Sequence, residues 1–268
     1  MEALSRHPPG EYPNRNHDRN TRRTTVTYDL ALYPASGPGL GHLMRCMALA
    51  EWAVELKAKA IVALGGPSSL AWPCAVALPV VSIDARVHIQ DGGTNRFGGR
   101  AVWRVVDAVP TDLTDPMLCD SAGIVYPHFG AVPVGGFPTF VGPQWMPLRP
   151  GLANGLPPKV RQATAIGSGW CRYRCEKPRG YVDLAAVPDD EWFLHYEGVV
   201  CPPSTIAYEA MTAGMKVAIH EEHEHKDIML AMFKAGAAVS AEDESRHRAH
   251  TTDLIDGLGA RRLLEALL

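Results

Sequence analysis

Two segments far apart in the chain each read as a strand, a tight turn and the first turn of a helix. Residues 25–33 form a β-prone run (TVTYDLALY) that leads through Gly37, Gly39 and Gly41 into a helix-forming stretch over residues 42–59. The apolar residues 198–201 lead in the same way through Pro202, Pro203 and Ser204 into a helical stretch over residues 205–213. Such a unit is completed by a further strand lying parallel to the first. A chain that uses it in both halves is thereby directed toward layered α/β architecture with parallel sheets.

The segments between these units fit that architecture. Short apolar runs at residues 60–64 and 78–83, bounded by Gly or Pro, read as buried parallel strands. Residues 101–108 read as a helix and residues 123–126 as a strand. Gly- and Pro-rich sequence over residues 132–150 breaks any regular pattern and reads as the connection between two domains. A second alternating set follows: strands at 163–167, 198–201 and 216–220, and helices at 189–196, 205–213 and 227–235. Asp227 fits the N-cap of the last of these and Gly236 its stop. Residues 252–268 close the chain with a helical pattern interrupted at Gly257 and Gly259.

The expected organisation is therefore α/β, with two Rossmann-like domains facing across a cleft and the second shortened. Its parts are a tail over residues 1–23, a first domain over 24–141, a linker over 142–152, a second domain over 153–251 and a C-terminal helix over 252–268. With 268 residues, 46% of them hydrophobic, the chain can bury cores in both halves.

Charge and cysteine usage narrow the function classes. A formal net charge of -3 gives no global attraction to nucleic acid or anionic membrane. The first 23 residues carry Arg6, Arg15, Arg19, Arg22 and Arg23 and few aliphatics, which predicts a mobile tail able to brush a polyanion. A solvated arm without function is the favoured reading, so nucleic acid is not the favoured partner. The 6 cysteines show no disulfide spacing and suit a reducing cytoplasm. No apolar run reaches the ~18 residues of a membrane span, so a cytoplasmic protein without a transmembrane segment is expected.

Gly37, Gly39 and Gly41 let the backbone turn tightly before a helix whose first N–H groups are unpaired, an arrangement that attracts anions. His42 and Arg45, three apart, share a face of that helix. The imidazole suits a general base and the guanidinium suits holding a phosphate or ordering the loop. A plain glycine turn with a capping His and a surface Arg also fits these residues. At the second unit, Ser204 and Thr205 can cap their helix and donate to a diphosphate, and Glu209, four residues on, can accept from a ribose diol. An ordinary capped helix with an exposed Glu is the alternative there. Residues 220–227 (HEEHEHKD) follow a predicted strand, where α/β folds place ligands, and lack metal-ligand spacing, so no metal is assigned. Cys46 reads as core, and Asp84 and Asp91 are cleft carboxylates by position alone.

The string GLGHLMRCMALA over residues 39–50 resembles the N-terminal signature of the nucleotide-sugar hydrolases of the pseudaminic-acid pathway. Residues 142–150 (GPQWMPLRP) resemble the inter-domain segment of that family. The stretch from Ser204 through Glu209 to His225, Lys226 and Asp227 is similar to its donor-binding half and to that of the peptidoglycan N-acetylglucosaminyl transferase. The resemblance implies the two-domain B type of glycosyltransferase fold with a uridine diphosphate sugar between the halves and no cofactor or metal. It implies His42 as general base and Glu209 as ribose ligand. Gly39, Gly41, Ser204 and Thr205 would lie at the diphosphate, and His225, Lys226 and Asp227 at the sugar.

Pro202 and Pro203 stand where relatives carry glycines, and Ile228 and Met229 where they carry glutamines, which points to a different sugar. Transfer to an acceptor hydroxyl is therefore preferred over hydrolysis by water. A non-catalytic nucleotide- or partner-binding descendant, an epimerase and an enzyme glycosylating modified DNA bases are the remaining readings.

Overall fold

The computed structural model describes residues 26–35, 41–64, 75–76, 83–92, 101–107, 121–130, 135–153, 163–166, 181–183, 196–219, 225–241 and 255–268. The first half builds a sheet of 7 strands from β1 (Tyr28–Pro34), β2 (Ala60–Ala63), β3 (Ala75–Val76), β4 (Ala85–Asp91), β5 (Val102–Val105), β6 (Ser121–Tyr126) and β7 (Thr139–Val141). Their order is β3-β2-β1-β4-β5-β6-β7 and every neighbouring pair is parallel. Parallel strands are buried on both faces, and Leu30, Ala31 and Leu32 of the central β1 accordingly have no exposure. The helix α1 (Gly41–Glu55) follows β1 and lays Leu43, Cys46, Leu49, Trp52 and Ala53 over Leu30, Leu32, Val62 and Ile89.

The second half carries a sheet of 5 strands from β8 (Ala163–Ile166), β9 (Tyr181–Asp183), β10 (Tyr196–Cys201), β11 (Lys216–Ile219) and β12 (Val239–Ser240). The order is β12-β11-β10-β8-β9, again parallel throughout. Helices α2 (Thr205–Thr212) and α3 (Lys226–Lys234) follow β10 and β11. Gly236, with φ of 68°, turns the chain out of α3 as the sequence suggested. The last helix, α4 (Gly259–Leu267), returns to the first half and packs Ala260, Leu263 and Leu264 into the cluster beneath α1.

The two halves share one core. Val106, Ile124, Tyr126 and Phe129 of the first half and Met146, Leu148 and Leu152 of the connection pack in a single cluster with Tyr208, Met211, Met215, Ile228 and Met232 of the second. Trp52 Nε1 donates to the Leu148 carbonyl at 2.9 Å, tying α1 to the connecting segment.

The structure corrects several expectations. The segment expected to be helical over residues 101–108 instead carries the strand β5 at Val102–Val105; the apolar residues at 102, 103, 105 and 106 fit either period, and their Val-rich composition decides for the pleated sheet. The run 85–91 is a strand that the sequence reading passed over, because His88, Gln90 and Asp91 made it look polar. Residues 132–150 are not wholly irregular, since β7 lies within them and extends the first sheet. Asp227 is not the cap of α3: the helix begins at Lys226 with His225 in the cap position, and no side chain caps it. The tail 1–23, the predicted helix 189–196 (apart from Tyr196, which begins β10), Gly37, Gly39 and residues 220–224 lie outside the described residues.

Candidate active site

In each sheet the chain builds outward from one strand and then returns to build on its other side. In the first sheet this switch lies between β1 and β4; in the second it lies between β8 and β10. Beyond the C-terminal ends of strands at such a switch, α/β folds leave a crevice. The first crevice receives Gly41, His42 and Arg45 from the start of α1, Asp91 from the end of β4, Asp107 two residues past β5 and His128 two residues past β6. Adjacent parallel strands end side by side, so residues far apart in sequence meet there.

Arg45 is the centre of the cluster. Its Nε donates to Asp91 Oδ2 at 2.7 Å, its Nη2 to Asp91 Oδ1 at 2.6 Å and its Nη1 to Asp107 Oδ1 at 3.1 Å. It is only 4% exposed. Burial by itself would lower its pKa, but the two carboxylates outweigh that and raise it above the ordinary arginine value. Burial likewise pushes the Asp107 carboxyl upward, and the Arg45 charge and the His128 hydrogen bond more than reverse this, leaving it well below the usual carboxylate range. Arg45 therefore balances two acids, and its guanidinium is engaged by them.

His42 stands at the mouth of this cluster, its side chain 25% exposed. Its Nδ1 lies 2.8 Å from Asp91 Oδ1 and also 2.8 Å from Arg45 Nη2. A protonated Nδ1 donates to Asp91 Oδ1 and an unprotonated one accepts from Arg45 Nη2; the first tautomer is the one that leaves Nε2 free to act as a base. Nε2 then carries the lone pair and points toward the side of Asp107, with Oδ2 at 4.0 Å. Gly92 lies against the ring: its φ is +69°, and a methyl group there would come within 2.6 Å of His42 Cε1. Glycine is required at this position both for the backbone conformation and for the space.

Behind Asp107 a buried chain of hydrogen bonds crosses between the halves. His128 Nε2 meets Asp107 Oδ1 at 2.9 Å and His128 Nδ1 meets the Tyr208 hydroxyl of α2 at 2.9 Å. Burial lowers the pKa of His128 in spite of the opposing bond to Asp107, so a neutral ring donates from Nε2 and accepts at Nδ1 from Tyr208. Phe129 stacks on Tyr208 with ring centroids 5.9 Å apart. One residue further along α2, Glu209 accepts from Arg149 Nε at 3.0 Å. Glu209 is 3% exposed, so the solvent-facing Glu of the simpler sequence reading is not what the chain builds.

These contacts aim α2 at α1. A Cβ added to Gly41 would lie 3.6 Å from Thr205 Oγ1, so the first residues of the two helices stand face to face. Ser204 occupies the cap position of α2 but makes no capping hydrogen bond, and Thr205 Oγ1 is buried without a partner among the described residues. The hydroxyls expected to cap the helix are thus left unused at the junction of two helix N-termini. The start of α3 approaches the same crevice electrostatically. Asp227 adds to burial in raising the Tyr126 pKa to about 12, and His225 contributes to the lowering at His128. Lys226 and Asp227 are exposed and His225 half-buried.

Of the residues singled out from sequence, Gly41, His42, Arg45, Ser204, Thr205, Glu209, His225, Lys226 and Asp227 belong to the elements that border this junction, and Gly39 lies outside the described residues. Asp91 proves to be the partner of His42, whereas Asp84 lies at the opposite end of β4 and accepts from Thr27. Cys46 is core, its thiol pushed up by burial. Asp107, His128, Tyr208 and Arg149 were not singled out. Only the position of Asp107 and His128 just beyond Val-rich strands could have marked them. No helix among the described residues is long and apolar enough to cross a membrane.

No protein-family profile matches the chain and no curated protein sequence matches it. Among solved structures it is similar to the wall teichoic acid polymerase TagF, with 7% sequence identity over 90% of this chain and 88% of that one and a TM-score of 0.53. The spinosyn forosaminyltransferase SpnP matches at 12% identity over 89% of this chain and 94% of that one, with a TM-score of 0.49. The spinosyn rhamnosyltransferase SpnG, complexed with spinosyn aglycone, matches at 14% identity over 89% and 96%, with a TM-score of 0.47. The chain has the α/β architecture of two Rossmann-like domains facing across a cleft, the B type of glycosyltransferase fold.

Proposed function

We propose that this chain cleaves the bond between an anomeric carbon and the diphosphate of a nucleotide sugar, passing the sugar to an acceptor hydroxyl or to water. One observation carries the reading: the first residues of α1 and α2 meet at Gly41 and Thr205, where the Thr205 hydroxyl has no hydrogen-bond partner among the described residues, directly beside the His42–Asp91 pair. Two helix N-termini offer backbone N–H groups and partial positive charge to a diphosphate, and the orphaned Thr205 hydroxyl supplies a donor. His42 Nε2 takes the proton of the incoming nucleophile, while Asp91 holds the ring and balances the imidazolium that forms. The new carbon–oxygen bond forms on the face opposite the departing diphosphate, with inversion, and the leaving charge is stabilised by the helix termini without a metal ion.

The resemblance to nucleotide-sugar hydrolases and to the peptidoglycan transferase favours a uridine diphosphate sugar. In that reading Glu209, steadied by Arg149, meets the ribose diol, Gly39 and Ser204 lie along the diphosphate, and His225, Lys226 and Asp227 face the sugar.

Calorimetric titration with UDP, dTDP, GDP and ADP tests the site. One of these should bind, its parent nucleoside at least tenfold more weakly. Thr205→Val should lower the diphosphate affinity by about tenfold or more, the effect of losing a hydrogen bond to a charged group, without lowering stability. Equal affinity for nucleoside and diphosphate, or no binding at millimolar concentration, would refute the reading.

A further inference from the structure

Asp107 has two oxygens in different circumstances. Oδ1 accepts from Arg45 Nη1 at 3.1 Å and from His128 Nε2 at 2.9 Å. Those two bonds fix the carboxylate plane and turn Oδ2 toward His42 Nε2, 4.0 Å away. Both side chains are 25% exposed, so both open on the crevice. Two acceptors therefore face the place where the nucleophile must stand: the Nε2 lone pair of His42 and a carboxylate oxygen held ionised by the Arg45 charge.

Resting on the nucleotide-sugar reading of this site, we propose that Asp107 Oδ2 is the second anchor of the nucleophile, and that the pair selects a nucleophile carrying two protons on its attacking atom, which is water.

Hydrogen bonds of about 2.8 Å to Nε2 and about 2.7 Å to Oδ2 close over a 4.0 Å base with an angle of about 93° at the bridging atom, near the angle between two protons on one tetrahedral atom. Water satisfies both acceptors at once. Its first proton passes to Nε2 as the oxygen's lone pair attacks the anomeric carbon and the carbon–oxygen bond to the diphosphate breaks, the electron pair leaving on the diphosphate. Its second proton stays on the new sugar hydroxyl and remains hydrogen-bonded to Oδ2 throughout. An alcohol with one hydroxyl has only the proton that Nε2 removes, so its oxygen would be left with a lone pair against the carboxylate. That repulsion opposes the alcohol at the step where charge develops.

The test compares wild type with Asp107→Asn on UDP-glucose and UDP-N-acetylglucosamine, measuring free sugar and methyl glycoside formed in aqueous methanol. In the Asn variant hydrolysis should fall at least 30-fold while methanolysis, relieved of the carboxylate's repulsion, holds or rises, so the ratio of methyl glycoside to free sugar rises at least 30-fold. Equal loss of both products would mean that Asp107 only steadies Arg45 and His128, and would overturn the proposal. An unchanged ratio with unchanged rates would also overturn it. Asp107→Ala with added formate separates chemistry from folding: formate should restore hydrolysis without raising methanolysis, and no restoration in a variant with wild-type circular dichroism counts against the anchor. A wild-type protein that releases no nucleotide from either donor and binds no nucleoside diphosphate removes the nucleotide-sugar reading itself, an outcome distinct from an unaltered product ratio.

Discussion

Gly92→Ala tests whether the backbone beneath His42 sets the geometry of the proposed base. Two costs can be worked from the structure. Alanine at φ of +69° occupies the left-handed region, which costs about 1–2 kcal/mol for a residue with a Cβ. The new methyl would also stand 2.6 Å from His42 Cε1, 2.8 Å from Nδ1 and 2.9 Å from Nε2, against an optimum of about 3.5–4.0 Å, so the ring must retreat by about 1 Å. The Nδ1 to Asp91 Oδ1 distance, now 2.8 Å, then passes out of hydrogen-bonding range, a further loss of about 0.5–1.5 kcal/mol. Urea unfolding should show a combined loss of about 1.5–3.5 kcal/mol. Turnover should fall about 100-fold, the usual effect of misplacing a reacting group by 1 Å. A variant that folds and turns over within threefold of wild type would refute the claim that Asp91 and Gly92 together position the imidazole.

Three further outcomes follow from the contacts that join the halves. Arg149→Met leaves the buried Glu209 carboxylate without its guanidinium and should cost about 3–5 kcal/mol by denaturant unfolding, while Arg149→Met combined with Glu209→Gln should recover a large part; strictly additive losses would show the two are uncoupled. His128 is held below its ordinary pKa by burial, so below about pH 6.5 the unfolded chain binds the proton that the folded chain refuses. Stability should therefore fall on acidification through that range, with this group contributing a slope of at most about 1.4 kcal/mol per pH unit, and His128→Gln should be flatter by that contribution; parallel pH profiles would contradict the buried neutral ring. Thr205→Val should unfold at the wild-type denaturant concentration or higher, since it removes an orphaned hydroxyl, and a loss above about 1 kcal/mol would show that the hydroxyl has a structural partner.

The sequence made part of this legible. A strand, a glycine turn and a helix beginning at His42 fixed the reading of the first βα unit, and the same logic located Thr205 at the start of α2. Both rest on local patterns, period and turn chemistry, that a single stretch of chain carries. What stayed hidden is non-local. Asp107 and His128 face each other only because β5 and β6 are neighbours in the sheet, and a strand order cannot be read from either segment. The misreading of β5 as helix removed the one cue to Asp107, that it lies just past a strand's C-terminal end. Tyr208 looks like an ordinary core residue of a helix, and its hydroxyl acquires a role only from the approach of His128. Arg149 was visible as part of the LRP string, yet its partner lies 60 residues away on α2.

In the proposed reaction His42 activates a nucleophile against a nucleotide sugar held at the two helix N-termini. The most direct measurement is the release of nucleoside diphosphate from a panel of nucleotide sugars, with wild type and His42→Ala compared at matched stability. Wild type should release it from at least one donor, with a fall of about 100-fold or more in the variant, the contribution of a positioned base. Release unaffected by His42→Ala would contradict it, as would a wild-type protein that binds the diphosphate and leaves every sugar donor intact.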